Sequence, residues 1–351
     1  MRSIYAITLV FCFSFHALAF AQSNDDDFGS AANDEWSKTE KAISSDYAAH
    51  EKNELQSWHD YQERVKQKWS DGAIPEEKRY VQYFDHDTSR IRIDYENGTV
   101  TAEALLDPSE KSNDAAKKKI QTALSSMVTG GNSPDSLLTK DEISSSAIAT
   151  SMVNQESTKA SDGKSRILYR ITLKMVPDYI KKRAEKIMPI VKVWTDKYHL
   201  DPAFVLAIIR TESSFNPRAH SAVGAVGLMQ VMPRFAGKEV LQAVTGKTTI
   251  PSEDFLYEGS KNIMVGTTYL QLIRDKYFPD IKDKTKQMYV SSAAYNWGPH
   301  RLQKLISQGR IPSSANSEDT FGLIQKYAPL ETKGYVQKVT QYFNEFKKEG
   351  L

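Results

Sequence analysis

Cysteine is all but missing: one occurs in 351 residues, Cys12, and it lies inside an apolar leader. Removal of the leader after Ala21 leaves a chain with none, which excludes disulfides, a thiol nucleophile and a thiolate metal site. A charge excess is missing too. The 46 Lys and Arg nearly balance 44 Asp and Glu, so no strong field argues for nucleic acid, and none is expected as a partner. There is no HExxH and no glycine-rich phosphate loop, and His numbers seven. Neither a metal nor a cofactor is expected.

The N-terminus is informative. Arg2 precedes an almost wholly apolar run from Ile4 to Phe20, and Ala19-Phe20-Ala21 offers small residues for cleavage. That is the layout of a secretory signal peptide over 1–21, with an uncleaved anchor as the other reading. The chain is expected to be exported, periplasmic or secreted. Phe11 precedes Cys12 and more apolar sequence follows, so no lipid anchor is expected. Residues 22–34, small and acidic, read as a flexible leader.

Two domains are expected beyond it. Glu35 to Trp69 lacks Pro and Gly and spaces Trp58, Tyr61, Val65 and Trp69 as a helix does. Tyr80–Phe84, Arg90–Tyr95 and Val100–Leu105 alternate with period two, and Asn97-Gly98 marks a hairpin turn, though Asn97-Gly98-Thr99 also fits a glycosylation sequon. Asn113–Val128 reads as a helix, Thr129–Lys164 as a polar stretch, and Arg166–Lys174 as a strand returning to the same small sheet. Residues 35–175 thus form an α+β domain, with Trp58, Trp69, Tyr80, Tyr83 and Phe84 as core. From 176 to 351 strand signals stop. Helices are expected over Asp178–His199, from Pro202, from about Leu228, and over Glu258–Tyr277, Lys284–Tyr295, Arg301–Ser307 and Thr332–Lys348, an all-α domain.

Val205, Ile208, Ile209 and Glu212 fall at i, i+3, i+4 and i+7, so a carboxylate shares a face with apolar residues. Desolvation there raises its pKa, as a general acid requires. The same pattern fits a Glu at a domain rim paired with Arg210, Arg218 or Arg234. Phe215-Asn216-Pro217 ends the helix in a fixed turn, and Gly224 and Gly227 allow close backbone approach. Gln230 and Met232 fit one groove wall, or mere packing. Tyr295 and Asn296 fit the other wall, or a buried Tyr beside a capping Asn.

Glu212-Ser-x-Phe-Asn-Pro, Gly224-Ala-x-Gly-Leu-Met-Gln230 and Ala294-Tyr-Asn296 resemble, in order and spacing, the three signature motifs of lytic transglycosylases with a goose-lysozyme-like fold (glycoside hydrolase family 23). Lys78–Phe84, Gly98–Thr101 and Val176–Tyr198 resemble the membrane-bound C-type members, which extends the likeness over most of the chain. The resemblance implies a lysozyme-like catalytic domain acting on peptidoglycan glycan strands, with Glu212 as acid and then base. It implies that Ser221, Gln230 and Met232 line the groove, that Tyr295 and Asn296 flank Glu212, and that Tyr335 closes the site. Ser213 and Ser214 match the motif without an assigned role. The implied reaction cleaves the MurNAc-(β1,4)-GlcNAc bond and closes a 1,6-anhydro ring without water, and needs no cofactor.

Ordinary glycosidases use two carboxylates. None follows Glu212 until Glu239, and Glu253, Asp254, Glu258 and Asp275 read as surface groups. That absence favours the lyase over a hydrolytic lysozyme of the same fold. A non-catalytic wall-binding protein is the third reading. A monomer is expected, and no envelope protein partner is identified.

Overall fold

A computed structural model describes residues 56–57, 59–110, 112–129, 133–143 and 154–351. The expected signal peptide, Cys12, the acidic leader, Trp58 and most of the helix expected over 35–69 lie outside them. Gln62–Leu351 forms one compact unit, and in the unit before it, Met1–Tyr61, only 56–57 and 59–61 are described.

In the larger unit the strands are β1 (Arg79–Phe84), β2 (Ser89–Asp94), β3 (Thr99–Leu106), β4 (Val128–Thr129), β5 (Leu138–Thr139), β6 (Asn154–Lys159) and β7 (Ser165–Lys174). Five form an antiparallel sheet in the order β1-β2-β3-β7-β6, and β4 pairs with β5 alone. Period-two alternation sorts the faces. Ile91, Ile93, Val100, Ala102, Tyr169, Ile171 and Leu173 point inward. There they meet Ala116, Ile120, Ala123, Leu124 and Met127 of helix α1 (Asn113–Met127), spaced as one stripe. Burying each Ile or Leu contributes about 1.5–3 kcal/mol. The β2–β3 turn falls at Asn97-Gly98, where Asp94 Oδ1 accepts from the amides of Glu96 (3.1 Å) and Asn97 (2.8 Å). Gly98 has φ 61°, and a Cβ there would lie 2.6 Å from the Tyr179 ring.

The other sheet face is charged. Fully buried Glu103 accepts from Arg90 Nε at 2.6 Å, Arg170 Nε at 2.6 Å and Arg92 Nη2 at 3.2 Å. Arg90 also bonds Asp71 at 2.6 Å, and its guanidinium lies 4.0 Å from the Trp69 ring centre. Trp69 packs with Tyr83, Leu105 and Leu168, so it is core as expected.

Strand signals cease after β7, also as expected. The helices are α2 (Tyr179–Tyr198), α3 (Pro202–Ser213), α4 (Lys238–Thr245), α5 (Glu253–Tyr257), α6 (Gly259–Leu272), α7 (Lys284–Trp297), α8 (Pro299–Ser307), α9 (Ser317–Tyr327) and α10 (Leu330–Lys348). Proline opens α3 at its first position, and Asp201 Oδ1 accepts from Ala203 N at 3.0 Å. Every residue from Ala203 to Ile209 is buried, because α2 and α10 pack against α3. The helix expected from about Leu228 does not form. Val226 and Val231 pair as an isolated bridge, and helical structure resumes at Pro233 as a wide turn leading into α4. The sheet and helical cores meet at α2, whose Tyr179 packs on the sheet core and donates to Tyr95 O at 2.9 Å. Among the described residues no helix is long and apolar enough to cross a membrane.

Candidate active site

Glu212 is the penultimate residue of α3 and is half-buried. Burial of its carboxyl pushes the pKa up to about 8, from an ordinary 4.5. Tyr335 Oη, on α10, donates to Glu212 Oε1 at 2.7 Å and opposes the rise. The charge of Lys78 opposes it too, whereas Glu331 and Glu77 add to it. None of the arginines proposed as its rim partners holds it. Arg210 hydrogen-bonds Glu345, and Arg218 lies over Tyr257.

The helix ends in a strained turn. Ser214 and Phe215 have φ of 50° and 64°, which costs about 1–2 kcal/mol each for a residue with a side chain. Ser213, without a role in the sequence reading, ties this end to the next motif: its Oγ donates to Leu228 O at 2.8 Å.

That next motif is a tight loop around buried Asn262 of α6. Asn262 Nδ2 donates to Val226 O and Leu256 O at 2.8 Å each, and its Oδ1 accepts from Met229 N at 2.8 Å. Gly227, at φ 77°, passes so close that a Cβ would lie 2.3 Å from Asn262 Nδ2 and 2.7 Å from Leu256 O. Gly227→Ala is expected to destabilise the protein by roughly 2 kcal/mol or more, read as a lowered urea midpoint.

Gln230, also at positive φ (47°), is 8% exposed. Its Nε2 donates to Gly227 O at 3.0 Å, while Oε1 is buried without a hydrogen-bond partner, so it can accept from an incoming hydroxyl or amide. Tyr295 Oη donates to Met229 O at 2.8 Å, which seats α7 against this loop. Burial raises the pKa of Tyr295 and of Tyr335 well above the ordinary tyrosine value, and the neighbouring Glu212 charge adds to it in both. Asn296 is held by α10: its Nδ2 donates to Glu331 Oε1 at 3.0 Å and its Oδ1 accepts from Thr332 Oγ1 at 2.7 Å.

Glu212, Tyr295 and Tyr335 are thus brought together by α3, α7 and α10, with Asn296 next to Tyr295 on α7 and Gln230 next to the Met229 carbonyl that Tyr295 bonds. Ser221 and Met232 have local surroundings of their own. Ser221 Oγ accepts from Ala225 N at 2.9 Å and shapes its own loop, and half-buried Met232 precedes the wide turn. Of the carboxylates read as surface groups, Glu253 meets His220 at 3.3 Å, Glu258 meets Lys261 and Asp275 meets Arg274. The charges of Glu331 and Glu77, remote in sequence, add in a minor way to the rise at Glu212.

Residues 189–317 match the transglycosylase SLT domain, and residues 48–134 match the N-terminal domain of membrane-bound lytic murein transglycosylase C. Membrane-bound lytic murein transglycosylase C of Shigella sonnei (strain Ss046) is 31% identical over 291 residues, which cover 75% of this chain and 80% of that protein. The chain belongs to the lytic murein transglycosylases of this C type. It is an enzyme acting on peptidoglycan. The 70-kDa soluble lytic transglycosylase of Escherichia coli is 29% identical over 47% of this chain, with a TM-score of 0.37, and this chain covers 25% of its length. An inactive mutant of the lytic transglycosylase Slt of Pseudomonas aeruginosa is 24% identical over 49% of this chain and 28% of its own, with a TM-score of 0.38. Tyr335 and Glu331 of this transglycosylase lie beyond the SLT match, and β5, β6 and β7 lie in neither match.

Proposed function

We propose that this lytic transglycosylase cleaves the MurNAc-(β1,4)-GlcNAc bond with Glu212 as sole acid and then base. The observation that carries this reading is a carboxyl whose pKa stands at about 8 at the end of a buried helix, 2.7 Å from a tyrosine hydroxyl. Such a group is protonated at neutral pH and can give its proton to the glycosidic oxygen. As the C1–O bond breaks, the muramoyl acetamido group supports the oxocarbenium-like centre. The Glu212 carboxylate then takes the proton of the C6 hydroxyl, whose oxygen bonds to C1. Glu212 ends as it began, and no water is consumed.

The substrate-side residues in this reading are Ser221, Gln230, Met232, Tyr295, Asn296 and Tyr335. Their geometry supports an accepting role for Gln230 Oε1 and a holding role for Tyr335. Tyr335→Phe is expected to lower kcat by about tenfold, since a hydrogen bond to a charged group is worth about 1.5–3 kcal/mol. The alkaline limb of the pH–rate profile should move upward, because the lost bond favoured the ionised carboxyl.

A second reading has one observation behind it. Glu331 acts on Glu212, so the argument from a missing second carboxylate weakens, and attack by water would make the protein a hydrolase. Digestion of purified murein sacculi separates the two. Soluble muropeptides lighter by one water than the reducing forms support the lyase, hydrated reducing ends support the hydrolase, and no release from this bond would overturn both readings.

Export by the 1–21 segment, a monomeric state and division of the chain at 175/176 belong to the same proposal. Separate sheet and helical cores support the division. The Shigella relative is named as membrane-bound, which gives no support to the expectation of an unlipidated chain.

A further inference from the structure

The end of α3 is anchored by side chains that reach into the sheet region. Asn216, fully buried, donates Nδ2 to the carbonyls of Glu76 at 3.2 Å and Glu77 at 3.1 Å, just before β1. Its Oδ1 accepts from Arg218 N at 3.0 Å. Arg183, buried on α2, donates Nη1 to Phe215 O at 3.1 Å. Its Nη2 donates to Leu137 O at 2.8 Å and to Glu142 Oε2 at 2.9 Å, and its Nε lies 2.7 Å from Glu142 Oε1. The guanidinium lies 4.5 Å from the ring centre of Tyr95, whose hydroxyl donates to the same Leu137 carbonyl at 2.9 Å.

One cation therefore grips a carbonyl on each side: Leu137 beside the sheet, and Phe215 in the left-handed turn behind Glu212. Closing α3 does not need it, because Ser214 N already bonds Arg210 O. Nor is stability an adequate reason, because a buried ion pair is often no better than apolar packing. What the arrangement does supply is a fixed turn. A left-handed Ser-Phe pair relaxes unless its surroundings over-determine it, and here the sheet region supplies two of the constraints.

We propose that Arg183 and Asn216 are positioning residues that lock the Ser214–Phe215 turn onto the sheet region and so fix the aim of the Glu212 carboxyl. This rests on the reading of Glu212 as the acid and base. The sheet region then forms part of the frame of the reaction centre. The segment Asn216 clasps also brings Glu77 and Lys78 to Glu212, and Lys78 is held by Glu96 at 2.7 Å. From the other elements Glu212 faces Glu331 and Tyr335 of α10 and Tyr295 of α7.

The test uses the full chain with Arg183→Met, Arg183→Lys, Asn216→Asp and Glu212→Gln. The Asn216→Asp side chain can still accept from Arg218 N but cannot donate to the two carbonyls. Rates on solubilised glycan strands are measured from neutral to alkaline pH, per mole of folded protein. Arg183→Met and Asn216→Asp are expected to lower kcat by about tenfold or more with KM nearly unchanged, as a small misplacement of a reacting group does. Their alkaline limb should move to lower pH, as water reaches the loosened carboxyl, and Arg183→Lys should recover part of kcat. Wild-type kcat per folded molecule, or a lowered kcat with an unmoved limb, would overturn the proposal. Asn216→Asp keeps the question decidable should Arg183→Met fail to fold. An active Glu212→Gln enzyme would sink the acid–base reading itself, a result separate from the limb shift.

Discussion

Glu212→Gln is expected to lower kcat by about 10³-fold, within the range a positioned acid and base supplies, while KM changes little. The amide keeps the shape and neutrality of the protonated acid but has no proton to give and no charge with which to take one back. In the parent enzyme the rate should be level at neutral pH and fall as pH rises through about 8, where Glu212 ionises. A Glu at its ordinary value of 4.5 would already be ionised at neutrality. The same shift has a sign in stability. The folded state holds this proton more tightly than the unfolded state, so its contribution is full below 4.5 and is lost as pH rises through about 8. Glu212→Gln removes that dependence, so the variant should melt above the parent in alkaline buffer and close to it in acid. Retained activity, or a rate unchanged across pH 8, would remove Glu212 from the mechanism.

The second large effect is far from the chemistry. Glu103→Ala is expected to cost about 1–3 kcal/mol or more, the penalty for leaving the buried Arg90 Nε and its neighbours without their acceptor. Arg90, at 2% exposure, would keep Asp71, but Arg170 and Arg92 would lose the carboxylate that holds all three arginines to one point of the sheet. Against a total of about 5–15 kcal/mol for a typical protein, that loss is substantial. Urea unfolding of the variant measures it, and a change below about 1 kcal/mol would mean that the cluster relaxes freely into water.

What could be read beforehand divides along physical lines. Ile91, Ile93 and Val100 alternate and Asn97-Gly98 turns, so β2 and β3 were legible, as was α3 from Pro202. Strand β6, Asn154–Lys159, has no apolar member, and its pairing is imposed by β7 rather than by its own pattern. The helix expected near Leu228 does not form, although Leu228 and Met229 suit a helix locally. Asn262, from α6, instead takes the Met229 amide and holds the segment as a loop. In α3 the shared face of Glu212 with Val205 and Ile208 carried less than it promised, since the neighbouring helices bury Ala203–Ile209 all round. Glu212, Tyr295, Asn296 and Tyr335 came from motif likeness. Glu331, Glu77, Arg183 and the bridging role of Ser213 had no local signal, because each acts across a long stretch of chain.

Strand β6 has a consequence for how the molecule behaves in company. Among the described residues it ends the sheet, and the outer side of an edge strand is a row of donors and acceptors on which a second copy can add. Here that row runs through Asn-Gln-Glu-Ser-Thr-Lys, nearly all exposed. A strand added there would gain backbone bonds yet find no apolar stripe to set its register, and it would have to dehydrate Glu156 and Lys159. The polarity that hid this strand from sequence reading also discourages growth of the sheet into fibres at high concentration.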